Sequence, residues 1–391
     1  MKTIIPDFDR PVHRQSTDAV KYDARASVFG SDTVQPLWVA DMDLPAPPFL
    51  QDALVKRIQH PCYGYTMQSR PLKDAIQWWM QEEHECRTRA EEILFSPSVV
   101  TTMCNTISAC TGEGEGVALF SPVYERFYSS ILNRKRKLIN IPLLLDNGRY
   151  TINFAAFEQA CRAGKIKMVL FCNPQNPSGR VWSVEELSEL VHICQKYEIF
   201  LLADEIHSDI IYPPNKHTSM LAIDGAEKWT ILAHSIGKTF NCSGLQPSFV
   251  LIPDHRLRRR FHKVAEKTHT GDISIPAKIA IQTLFSQEGQ QYKKALIHYL
   301  EGNRDFLAAR IASLRQLSMM LPESTFLAWI DFRGTGLAHD AIRKKLVDAA
   351  GLGLSDGLAY GPAGEGWFRL NFAVARTELE KAAKKLEMTF G

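Results

Sequence analysis

Between residues 90 and 255, short apolar runs alternate with longer amphipathic stretches. "GVALFSP" (116–122), "IKMVLFCNP" (166–174), "EIFLLADE" (198–205), "WTILAHS" (229–235) and "SFVLIPD" (248–254) are almost continuously apolar. Such runs read as strands buried on both faces, because a half-exposed strand alternates apolar with polar residues. Between the second and third lies "SVEELSELVHICQKY" (183–197). Ser183 and Glu186 have the spacing of a capping box, and apolar residues then recur at helical spacing. Strand, capped helix and strand make a βαβ unit. The expected fold is therefore α/β, with a mostly parallel central sheet.

The two ends of the chain differ from this middle. Residues 1–45 are rich in loop signals. Beyond 285 come helical stretches, a strand-like "TFLAWIDFR" (325–333), a glycine-rich loop (350–366) and "WFRLNFAVA" (367–375). The expected division is an N-terminal segment (1–45) joining a small domain, a large domain (46–285), and a small α+β domain (286–391). The chain has no internal repeat and no low-complexity stretch.

Charge and cysteine content narrow the function. A net charge of +3 on 391 residues is too slight to suggest nucleic acid or a membrane surface as partner. The basic run "HRLRRRFHK" (255–263) is interrupted by Leu257 and Phe261 and reads as the solvated face of a helix. None of the eight cysteines forms a CxxC pair, so neither a zinc site nor a dithiol redox motif is indicated. The opening "MKTIIPDFDRPVHRQS" lacks the apolar stretch of a secretory signal. No run approaches the ~18 apolar residues of a membrane span. A reduced, cytoplasmic setting is expected.

In an open α/β sheet, ligands bind at the carboxyl ends of the strands. Polar residues gather there: "SPVYERF" (121–127), "NPQNPSG" (173–179), "DEIHSD" (204–209) and "SIGK" (235–238). Lys238 stands in "TILAHSIGKTFNCSGL" (230–245) with no acidic neighbour in sequence. A reactive amine needs a desolvated site of that kind. Asp204 follows an apolar run, and a buried carboxylate needs a cationic or hydrogen-bonding partner. Asn176 offers a donor for a phenolate oxygen, Tyr124 a ring for stacking, and Ser235 a hydroxyl for a phosphate. Together these are the fittings of pyridoxal phosphate. Each residue also has a structural reading: Asp204 as a helix cap, Asn176 as a turn former, and Tyr124 as a core ring.

The set "NPQNPSG…ADEIH…SIGKTFN…FRLNFA" resembles the fold-type I pyridoxal-phosphate enzymes of the aminotransferase class I/II superfamily. With "WVADMDLPAPP" (38–48), "YGYT" (63–66), "FCNPQNPSGRVW" (171–182), "DEIHSDII" (204–211) and "RLNFAVAR" (369–376), it is similar to their cystathionine β-lyase, or C–S lyase, branch. That branch includes cystalysin-like enzymes. The resemblance spans about residues 18–390 and implies a three-layer aminotransferase-like fold. It implies Lys238 as the covalent anchor of pyridoxal 5′-phosphate and the base at the substrate Cα. It implies Asp204 as partner of the pyridine nitrogen, Asn176 of the phenolate oxygen, and Tyr124 as the stacked ring. Ser235 and the N–H groups around Val99 and Val100 fall in the phosphate site. His207 stands where many aminotransferases have tyrosine, and a buried structural histidine is its alternative. Arg369 falls at the substrate carboxylate clamp, with a structural ion pair as its alternative, and Ala40 falls beside the substrate. Tyr65 matches a residue that reaches the phosphate of the neighbouring subunit, which implies a homodimer.

Three departures stand out. Gln246 occupies a position, eight residues after the lysine, where many relatives carry a basic phosphate ligand. The phosphate loop reads "PSVVTT" (97–102), which offers the Thr101 and Thr102 hydroxyls as further contacts. "SIGK" replaces the commoner "SPSK". The implied substrate is a small amino acid. The implied reaction is β-elimination from cystathionine or another cysteine S-conjugate, giving thiol, pyruvate and ammonia. A transaminase shares every step up to Cα deprotonation, and no single residue separates the two. A cofactor-binding regulator without turnover is the third reading.

Overall fold

The computed structural model describes residues 5–391. Its centre is a seven-stranded sheet. In chain order the strands are β1 (Ile93–Ser96), β2 (Gly116–Ser121), β3 (Lys137–Pro142), β4 (Met168–Cys172), β5 (Phe200–Asp204), β6 (Thr230–Ser235) and β7 (Ser248–Leu251). In space they run β1-β7-β6-β5-β4-β2-β3. The pairs β3–β2, β2–β4, β4–β5 and β5–β6 are parallel. β7 is antiparallel to both its neighbours, so the sheet is mostly parallel with one reversed strand.

The apolar runs are explained by what lies on each face. Along β4, Met168, Leu170 and Cys172 pack into one apolar cluster, while Val169 and Phe171 pack into another on the opposite side. β2 behaves likewise, with Val117 and Leu119 on one face and Ala118 and Phe120 on the other. Alternate side chains point to opposite faces, so a strand covered on both sides has no position left for a polar residue. β1 and β3 have no counterpart among the five runs singled out in the sequence. They are the two edge strands, and the residues of β3 are mostly exposed or half-exposed.

Four helices matter for the site: α1 (Arg70–His84), α2 (Val99–Cys110), α3 (Val184–Lys196) and α4 (His255–Lys267). α3 starts as expected: Ser183 Oγ accepts the Glu186 N–H, and the Glu186 carboxylate accepts the Ser183 N–H. The basic run becomes α4, which buries Leu257, Phe261 and Ala265 and turns its charges outward.

A second sheet has four antiparallel strands: β8 (Ser318–Met320), β9 (Leu327–Asp331), β10 (Ser355–Asp356) and β11 (Trp367–Asn371). They lie in the order β8-β9-β11-β10. Residues Gln35–Pro36 pair in parallel with Leu352–Gly353, which brings the early chain alongside the late chain. No described helix is long and apolar enough to cross a membrane.

Candidate active site

The parallel strands β2, β4, β5 and β6 end at Ser121, Cys172, Asp204 and Ser235. A cavity of about 330 Å³ opens over these ends. Val99, Val100, Tyr124, Asn176, Asp204, His207, Ser235, Lys238, Arg369 and Ala40 all line it. The topology thus collects residues from seven separate stretches of sequence. Tyr65 is not among them. It is wholly exposed and does not reach this chain's own cavity.

Lys238 lies three residues past β6, on a turn tightened by Gly237. A Cβ at Gly237 would stand 2.9 Å from the Ser243 Cα, so no side chain fits there. Nζ of Lys238 donates to the Ala40 carbonyl at 2.5 Å. Burial pushes the ammonium down to about 8, and the charge of Arg369 acts in the same direction. Asp204 has 5% exposure. One of its oxygens accepts the Ile206 N–H at 3.2 Å, and it forms no ion pair among the described residues. Burial pushes its carboxyl up to about 7. A carboxylate held in this way is short of a cationic partner.

Arg369 is 3% exposed. It donates to Asn176 Oδ1 at 3.0 Å and to the Trp38 carbonyl at 2.8 Å. Its Nε is buried without a partner, and no described carboxylate pairs with it. A buried guanidinium beside neutral acceptors is a ready site for an anion. The contact also orients Asn176: with Oδ1 taken by Arg369, its amide nitrogen is left to donate elsewhere. His207 is buried with Nδ1 unpartnered. Burial, then the charges of Lys238 and Arg369, hold it well below its usual value, so it is a neutral imidazole. Tyr124 is half-buried against the cavity, and burial raises its hydroxyl.

At the other end, α2 begins at the cavity wall. Ser98 caps it, accepting the Thr101 N–H at 3.0 Å. The N–H groups of Val99 and Val100 are among the four at a helix start that have no partner within the helix. They point to where an anion gains from the helix dipole. The Thr101 and Thr102 hydroxyls are not further contacts: they bond to Ser98 Oγ and O, at 2.9 and 3.2 Å, and neither residue lines the cavity. Ser235 is more constrained than its sequence position suggests. Its hydroxyl donates to the Pro247 carbonyl at 2.9 Å and accepts the Gly237 N–H. To donate to a ligand it must rotate away from Pro247. Gln246, in a left-handed conformation, lines the same end.

Sequence reading missed Ser98, Ser243, Ser355, Tyr360 and Trp38, all of them on the cavity wall. Ser98 carried a usable signal, since a serine just before a helix is a preferred cap. The others had none. Trp38 matters through its carbonyl, and the backbone of "WVADMD" is held by two asparagines. Asn371 Nδ2 donates to Val39 O and Asp41 O, and Asn241 Nδ2 donates to Met42 O. Its two aspartates anchor it from outside: Arg14 pairs with Asp41 and Asp43, and the fully buried Lys21 pairs with Asp43 at 2.8 Å. The Ala40 carbonyl is thereby fixed opposite Lys238.

The family model for aminotransferase class I and II matches residues 55–386. Cystathionine beta-lyase PatB of Bacillus subtilis is 34% identical over 97% of this chain and 99% of its own length. Cystathionine beta-lyase of Corynebacterium glutamicum is 29% identical over 91% of this chain and 93% of its own. The crystal structure of cystalysin from Treponema denticola, which contains a pyridoxal 5′-phosphate cofactor, superposes with a TM-score of 0.95 at 30% identity. It is matched over 98% of both chains. The fold, the site and these likenesses agree: this chain belongs to the aminotransferase class I and II family.

Proposed function

We propose that this protein is a pyridoxal-phosphate-dependent carbon–sulfur β-lyase, cleaving L-cystathionine or another cysteine S-conjugate to thiol, pyruvate and ammonia. The observation that carries the reading is the pairing of a half-buried lysine with a buried arginine that has no carboxylate partner among the described residues, facing one cavity. The cavity's chemistry fits the cofactor. Asp204 lacks a cation, Asn176 has a donor to give, Tyr124 offers a ring face, and α2 opens toward an anion. Asp204 would hold the pyridine nitrogen, Asn176 the phenolate oxygen, and Val99, Val100 and Ser235 the phosphate. What pyridoxal 5′-phosphate supplies when bound is an electron sink conjugated to the amino acid's Cα.

The chain's own residues do the rest. Arg369 grips the substrate carboxylate with two parallel N–H donors, which fixes the Cα–H bond relative to Lys238. Lys238, driven toward the free amine by burial, takes the Cα proton at Nζ. The Ala40 carbonyl orients that amine. His207, kept neutral, adds no charge that would compete with Asp204. The bond from Cβ to sulfur breaks, and the proton taken at Nζ leaves with the thiolate. Water then completes release of pyruvate and ammonia.

The assembly is proposed as a homodimer in which Tyr65 enters the partner's phosphate site, supported by its full exposure here. The domain division at 45 and 285 is part of the same reading. So is a reducing, cytoplasmic setting, supported by eight unpaired thiols.

Turnover on cystathionine without any keto acid is the test. Thiol release under that condition is the expected result, whereas turnover only after adding a keto acid would establish the aminotransferase reading.

A second test uses pH on protein freed of cofactor. Asp204 sits above its unfolded value, so between about 4 and about 7 the folded protein holds the extra proton. Stability of the wild-type apoprotein should fall as pH rises through that window. Asp204→Asn should flatten the trend in chemical denaturation, and an unchanged trend would contradict the assignment.

A further inference from the structure

Behind the cavity floor lies a second polar cluster that the reaction as described does not use. Segment 204–209 faces two ways. Asp204 and His207 line the cavity, while Glu205, Ser208 and Asp209 bond to a group of buried histidines on the far side. Asp209, 3% exposed, accepts from Thr239 Oγ1 at 2.7 Å and from Trp79 Nε1 and His84 Nε2, both at 2.9 Å. His234 Nε2 lies 3.9 Å from Asp209 and 3.1 Å from Ser208 Oγ. Glu205 accepts the Met220 N–H at 2.7 Å and stands 3.3 Å from His217 Nε2. The His84 ring is 5.5 Å from that of His217 and 5.7 Å from that of His234.

Both oxygens of Asp209 are taken by N–H or O–H donors at hydrogen-bond distance, so the cluster works as a bonded network. Its carboxylate is charged. Burial opposes that charge, but the bond and charge of His84, then His234 and Lys293, hold it far below the usual range. Such a network is costly to bury, and it is placed at one informative point. Thr239 is the residue after Lys238, it is fully buried, and its one side-chain hydrogen bond among the described residues goes to Asp209. Trp79 and His84 both belong to α1, so Asp209 ties the Lys238 turn to a helix outside the central sheet.

We propose that Asp209 is a positioning residue for Lys238, acting through Thr239. The charge-assisted bond, about twice as strong as a neutral one, pins the backbone that carries the reacting amine. The six residues from Asp204 to Asp209 make the same clamp serve both sides: Asp204 and Lys238 are set against each other by one buried carboxylate. This rests on Lys238 being the reacting amine.

The experiment uses the cofactor-loaded protein and compares Thr239→Val, Thr239→Ser and Asp209→Asn. The readouts are kcat, KM, melting temperature, and the pH midpoint of the visible absorbance of the lysine-bound cofactor. Lys238 also faces Asp41, Asp204, His207 and Arg369, and all four are unchanged in these variants. Removing the hydroxyl should lower kcat on the order of tenfold to a hundredfold with KM little changed, because a small displacement of a reacting group costs that much. It should also shift the pH midpoint, and Thr239→Ser should restore both. Asp209→Asn should move them in the same direction by less, and it serves alone if Thr239→Val does not fold. A lower melting temperature with kcat and pH midpoint of wild type would overturn the proposal and leave the cluster a purely structural one. Absence of any lysine-bound chromophore in the wild type would overturn it differently, by removing Lys238 as the reacting amine.

Discussion

Lys238→Ala should lower thiol release from cystathionine by roughly a thousandfold or more, the range expected when a positioned proton-transfer group is deleted. The effect is large because one nitrogen has two duties. On the proposed reading it both anchors the cofactor and moves the Cα proton. The structure gives no substitute within reach: His207 is buried and neutral, and its charge is opposed by Lys238 and Arg369. Tyr124 is pushed upward by burial, which makes it a poor base. The variant should still bind the cofactor, through Asp204, Asn176 and the start of α2, but without a covalent bond. Mass analysis after borohydride reduction checks this: the wild type should carry the label on the peptide containing Lys238, and the variant should carry none.

Arg369→Lys should lower kcat/KM on cystathionine by about a hundredfold, chiefly through KM. Truncating one side of a buried charge pair typically costs about 2–5 kcal/mol, and a lysine cannot reproduce two parallel donors. Arg369 also donates to Asn176 Oδ1 and to the Trp38 carbonyl. A lysine there would leave Asn176 Oδ1 and the Trp38 carbonyl without their donor, so part of the loss should appear in cofactor affinity. Arg369→Ala should lose more than Arg369→Lys. Equal kcat/KM in wild type and both variants, measured by steady-state kinetics, would remove Arg369 from the substrate site.

The residues that were legible in the sequence share a physical reason. Lys238, Asp204, Asn176 and Tyr124 follow apolar runs that are buried on both faces, and in an open sheet the next residues must stand at the ligand edge. What was not legible depends on contacts across the fold. Arg369 meets Trp38 across 331 positions and Asn176 across 193. Trp38, Val39 and Ala40 contribute carbonyl oxygens, which every residue type has, so no residue type announces them. Thr101 and Thr102 looked like phosphate contacts by position, but a helix start draws such hydroxyls to its own cap. β3 escaped notice because an edge strand need not be apolar on both faces, and β1 because its apolar run is only three residues long. Asp209 sat in plain view within "DEIHSD", yet its partners come from Trp79, His84 and Thr239, which only the fold brings together.

The central claim is elimination at one cavity by Lys238 and Arg369, with the cofactor returned unchanged after each cycle. It is tested most directly by the product balance of the cofactor-loaded enzyme on cystathionine with no keto acid present. The account predicts equimolar thiol, pyruvate and ammonia over many turnovers per subunit, at a steady rate. A reaction that stops after one turnover per subunit, releases no thiol, and resumes only when a keto acid is added would contradict it.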